Sequence, residues 1–161
     1  MDSFFQGLLV HLSDPAYALA LLFTVALLAA TLLPLGSEPL LLALVTLQPD
    51  LIGPSVAVAT LGNTLGGMVG WWMGYGAKNW VARRFDVAHS PVHARAMRWL
   101  QRLGPVACLG AWLPVVGDPL CVLAGYLRLP LLPCAAFMAI GKGARYLLVA
   151  FGWQWVLAVW A

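Results

Sequence analysis

Four ionisable side chains, Glu38, Asp118, Lys142 and Arg145, stand in stretches otherwise built almost entirely from apolar residues. A charge at the centre of a membrane span costs about 2.5–3.5 kcal/mol on insertion scales, so each needs a partner or a task. Lys142 and Arg145 are three residues apart and share a helix face. Glu38 and Asp118 each sit in a proline-rich bend that can approach that face. Two acids and two bases can neutralise one another. The resulting chemistry is either structural ion pairing that holds the bends down, or a polar path for a charged substrate, a lipid head group or a proton. Asn63 lies in the run Gly62-Asn63-Thr64-Leu65-Gly66-Gly67, continued by Gly70 and Gly74. The small residues suit close helix packing, and the amide needs an interior partner, which places it on the same path.

Other candidates carry less. His89 and His93 are four apart, a chelating interval on a helix, but no third ligand is near in sequence, and a solvated helix start is the expectation. Cys108, Cys121 and Cys134 are widely spaced among apolar neighbours and read as small buried hydrophobes. There is no nucleophile–base pair, phosphate loop or zinc motif, so no enzyme activity, metal or cofactor is expected.

The elements that hold these residues must sit in lipid. Of 161 residues, 62% are hydrophobic and only 9% charged. A soluble domain carries about 25% charged residues to cover its surface. The expected fold is therefore an all-α integral membrane protein forming a single membrane domain over 1–161. Residues 1–14 read as an interfacial segment with no basic n-region, so no cleaved leader is expected. Spans are predicted at 16–33, 54–76 and 131–153, each near the 20 residues that cross a bilayer core. Two apolar pieces, 34–47 and 104–127, are interrupted by a carboxylate and by Pro34 and Pro39 in one, and by Pro114, Gly117 and Pro119 in the other. Proline removes a donor and disfavours helix before it, so both read as re-entrant hairpins.

The polar middle, 78–103, holds the basic block. Ser90-Pro91 is a good helix start and Gly104 a good stop. Val92, Ala96, Trp99, Leu100 and Leu103 form one face; Arg95, Arg98 and Arg102 form the other. This predicts an amphipathic helix on an anionic membrane surface rather than a nucleic-acid partner. Positive-inside counting puts this block and the N-terminus in the cytoplasm, with the C-terminus outside.

The chain also repeats itself. Leu33-Pro34-Leu35-Gly36-Ser37-Glu38-Pro39-Leu40 overlays Leu113-Pro114-Val115-Val116-Gly117-Asp118-Pro119-Leu120 without a gap, and further on Gly62-Asn63 meets Gly141-Lys142. Each half is a broken hairpin with a carboxylate, followed by a span with polar residues near its middle. One span separates the hairpins, so the halves have opposite orientation, as in transporters with inverted repeats and midplane sites.

The segments LLPLGSEPL, GNTLGG, PVVGDPLCVLAGYLR and GKGARYL resemble the DedA family, also called the SNARE-associated or VTT-domain family, and look most like its short YqaA-like branch. The resemblance covers about Leu32 to Val149. It implies paired re-entrant hairpins facing one another and a part in moving lipids across bilayers. For some bacterial members it further implies a link to the proton-motive force, envelope integrity and polyprenyl phosphate recycling. Glu38 matches the family's first-hairpin acid. Pro114 is kept, but Ala111 and Gly117 stand where typical members have arginines, and Gly67 stands where many have an aspartate. Asp118, Lys142 and Arg145 look like this branch's own charge set.

These readings converge on a multi-pass protein of the bacterial inner membrane. Its expected activity is that of a flippase or scramblase for a phosphate-bearing lipid, an anionic phospholipid or polyprenyl phosphate. Lys142 and Arg145 would attract phosphate, Glu38 and Asp118 would gate or titrate, and protons and a second copy of the chain are the other partners in view. The rivals are a proton-coupled small-ion transporter and a non-transporting membrane scaffold.

Overall fold

The computed structural model describes residues 14–31, 36–76, 91–113 and 116–160, all of them in helices or the short turns between them. The predicted interfacial segment 1–14, apart from Asp14, lies outside these residues, as do Pro34, Pro114 and His89.

The first helix, α1, runs Pro15–Thr31. Asp14 starts it by accepting a hydrogen bond from the Ala16 amide at 3.0 Å. Its buried residues Ala18, Leu22, Ala26 and Ala30 recur every four positions and make one narrow stripe. The long helix α3, Ile52–Gly76, packs against that stripe. Small residues decide how closely. A β-carbon at Gly62 would lie 2.5 Å from the Phe23 carbonyl oxygen, and one at Gly66 would lie 2.6 Å from that of Leu27. Backbone approach of this kind is how helices associate where no hydrophobic force separates them from lipid.

Between α1 and α3 lies a short helix, α2, over Glu38–Leu47, followed by a 3-10 turn, Pro49–Leu51. Helix α4, Pro91–Leu103, ends at Gly104, whose φ of +58° suits a residue without a β-carbon. A 3-10 helix follows over Gly104–Trp112, then α5 over Gly117–Tyr126 and α6 over Leu131–Trp160. Both α2 and α5 have ten residues and carry an acid–proline pair in the first turn. The starts of α2 and α5, and those of α3 and α6, are each 79 residues apart.

At 30 residues α6 spans about 45 Å and is the one described helix both long and apolar enough to cross a membrane. It continues past the predicted end at Trp153 to Trp160, because nothing after Gly152 breaks a helix. Helix α3 is long enough and uncharged, but its glycines, Ser55, Asn63 and Thr64 dilute its hydropathy. Helices α1 and α2 are apolar and shorter.

Two cores result. One gathers α1, α2, α3 and the later part of α6 around Leu22, Leu41, Leu44 and Tyr146. The other gathers the end of α3, α4, the 3-10 helix, α5 and the early part of α6 around Leu100, Cys108, Leu120 and Met138. Only α3 and α6 serve both. This arrangement corrects one expectation for α4. Its face was to rest on the leaflet, yet Ala96 and Leu100 are buried in the second core, with residues of the 3-10 helix and α5. Trp99 and Leu103 of that face are exposed.

Candidate functional site

Helix α6 presents Lys142, Arg145 and Tyr146 inward where the two cores meet, and each finds partners from other elements. Lys142 is 1% exposed. Its ammonium donates to the Asn63 carbonyl oxygen at 2.8 Å, to the Asn63 Oδ1, and to Asp118 Oδ1 at 3.1 Å. An ammonium has three N–H donors, and here all three are satisfied. Asp118, at the first turn of α5, is 48% exposed, so this pair has a wet end and a dry end. Arg145 Nη2 meets Glu38 Oε1 at 2.7 Å, with side chains 17% and 24% exposed. Its Nε, also buried, has no partner among the described residues. Glu38 folds back over Gly36, so its carboxylate occupies the space a side chain there would need.

Tyr146 joins the two pairs. Its hydroxyl accepts from Asn63 Nδ2 at 2.5 Å and lies 2.5 Å from Ser37 Oγ. Lysine on Asn63 Oδ1 fixes the amide's orientation, so the Tyr146 proton is left to point at Ser37. The chain Asp118–Lys142–Asn63–Tyr146–Ser37 thus reaches the residue next to Glu38 without a gap. It fixes the orientation of the groups it links.

All four predicted charges and Asn63 come together, and Glu38 and Asp118 reach different bases. Sequence reasoning missed Ser37 and Tyr146. The available signal was spacing: Tyr146 lies four residues after Lys142, on the same helix face, and a phenol in an apolar helix needs a partner. Of the hairpin-shaping residues, Pro39 and Pro119 follow the acids in the first turns of α2 and α5. Gly117 lets the chain turn back, since a β-carbon there would lie 2.5 Å from the Ala111 carbonyl oxygen. Arg95, Arg98 and Arg102 are exposed on α4, away from this network. The three cysteines are free and buried.

Residues 7–154 match the VTT domain. The chain belongs to the VTT-domain, or DedA, family. It is 41% identical to the inner membrane protein YqaA of Escherichia coli (strain K12) over 138 residues, covering 84% of this chain and 90% of that protein. YqaA of Shigella flexneri matches to the same extent. An uncharacterized protein of Haemophilus influenzae is 36% identical over 148 residues, covering 84% of this chain and 87% of its own length. No solved structure matches.

Where the chain departs from the resemblance drawn above, the packing gives the reason. Ala111 is buried and Gly117 presses on its carbonyl, so neither position has room for an arginine without moving the bend. A β-carbon at Gly67 would lie 3.3 Å from Lys142 Nζ. An aspartate there would reach the ammonium from α3; in this chain Asp118 reaches it from α5.

Proposed function

We propose that the chain is a bacterial inner-membrane transporter that moves a phosphate-bearing lipid between leaflets, as a flippase or scramblase. The observation that carries this reading is the pair of cations on one helix, each balanced by an acid from a different short helix. A phosphate is anionic and, like a carboxylate, accepts paired hydrogen bonds from cationic side chains. It can take their place on Lys142 and Arg145 once an acid is protonated or withdrawn. The named membrane location of the YqaA relatives supports the compartment.

The inverted-repeat reading is supported by contacts as well as spacing. Asn63 and Lys142, equivalent in the repeat, touch one another. Residues beside a two-fold axis do this. On this reading the hairpins enter from opposite sides, 78–103 is cytoplasmic, and Gly104–Leu127 does not cross. Single cysteines at 102 and 128 should then react with an impermeant reagent from the same side, and opposite accessibility would exclude the hairpin.

The direct test is lipid scrambling by the purified protein in vesicles. Wild type should accelerate exchange of a labelled phospholipid between leaflets. Ion flux without lipid movement would favour the proton-coupled transporter, and neither flux would favour the scaffold.

A further inference from the structure

The interior cations are already matched: Lys142 by Asp118 and Arg145 by Glu38. Arg128 rests over the Tyr75 ring, 5.3 Å from its centre. Arg95, Arg98 and Arg102 are different. No ion pair engages them among the described residues, and the sequence from Pro91 to Gly117 contains no acid. They recur at i, i+3 and i+7 on α4, and with Trp99 they line a groove of about 330 Å³. That is near the lower limit of small-molecule sites, the size of a head group rather than a whole lipid. Guanidinium groups bind phosphate oxygens in a two-pronged fork, and tryptophan favours the depth at which phosphates lie.

An apolar rail leads away from this groove. Leu103, Val106, Leu109 and Trp112 are exposed and three residues apart. In an α-helix that interval would drift around the axis. The Gly104–Trp112 segment is a 3-10 helix, whose three-residue turn stacks positions i and i+3 in line. At about 2 Å per residue its in-line part, Val106 to Trp112, is roughly 12 Å long. A bilayer core is about 30 Å thick, so the rail covers most of one leaflet.

We propose that α4 and the 3-10 arm form a binding site for one anionic phospholipid, its phosphate in the Arg95–Arg98–Arg102 groove and an acyl chain along the rail. The site rests on the lipid-transport reading only in what it is for; the binding can be measured alone. Purified protein is titrated with phosphatidylglycerol or phosphatidylcholine, and retained lipid is counted by native mass spectrometry. Wild type should prefer phosphatidylglycerol. The triple variant Arg95→Gln, Arg98→Gln, Arg102→Gln should lose about 100-fold in its affinity, since each surface arginine contributes roughly fivefold toward an anionic leaflet. Arg128→Gln should change it less than twofold. If the triple variant does not fold, Arg98→Gln alone should lose about fivefold. Unchanged phosphatidylglycerol affinity in the folded variant overturns the site. Displacement of the lipid by equimolar inorganic phosphate overturns the choice of a lipid as occupant. Wild type that binds lipid here but scrambles none refutes transport and leaves the site standing; scrambling without this preference does the reverse.

Discussion

The two short helices are held by opposite means. Helix α5 lies on α3 backbone to backbone. β-carbons at Gly74 and Gly125 would run into the carbonyls of Val122 and Trp71. Helix α2 packs Leu41, Leu44 and Val45 into the first core and is tied to α6 by polar side chains at both of its ends. Ser37 and Glu38 bind Tyr146 and Arg145 at one end, and Thr46 accepts a 2.9 Å hydrogen bond from Trp153 Nε1 at the other. The Glu38–Arg145 and Thr46–Trp153 contacts are partly exposed and can exchange for water or a head group at small net cost, whereas the Ser37–Tyr146 contact is buried. Backbone packing offers no such exchange. In the proposed transport α5 is therefore frame, and α2 is the part whose contacts a phosphate can replace.

The largest effect should follow from filling the glycine crossing. Gly125→Leu forces α5 off α3 and should cost about 3 kcal/mol or abolish folding. Thermal melting of the detergent-solubilised protein reads this out, and a melt like wild type would show that the crossing is not tight. The next effect concerns the wet and dry ends of one ion pair. Asp118→Ala strands a buried ammonium and should cost about 3 kcal/mol. Lys142→Met leaves a half-exposed carboxylate that water can solvate, and should cost only about 1–2 kcal/mol, chiefly for the Asn63 oxygen left unpaired. Equal losses would mean that Lys142 is wetter than its 1% exposure implies.

These residues also show how far the sequence could be read. The helices and the four charges in apolar surroundings were legible, because apolar run length and the cost of charge in lipid are local properties. Which acid meets which base was not. Glu38 and Asp118 look alike in sequence, and their choice of Arg145 and Lys142 depends on how closely α3 meets α1 and α6 meets the 3-10 arm. Gly62 and Gly141 set those distances, with β-carbons there falling 2.5 Å from the Phe23 and Leu109 carbonyl oxygens. Periodicity likewise gave α4 an apolar face without saying whether lipid or protein would cover it. The 3-10 helix and α5 cover it, at Leu100.

The smallest effect should come from the far end of α2. Thr46→Val removes one exposed hydrogen bond and should cost no more than about 1 kcal/mol. A larger loss would mean that α2 is fixed as firmly as α5, and would erase the contrast between them.

The central claim, that the interior charges serve transport, is tested by Glu38→Gln and Arg145→Ala measured for stability and for lipid scrambling on one preparation. Both variants are expected to lose scrambling while inserting and melting much as wild type does. A purely structural pair predicts instead a stability loss of about 3–5 kcal/mol when one partner is removed. Normal scrambling in either variant, or lost scrambling accompanied by aggregation, would contradict the account.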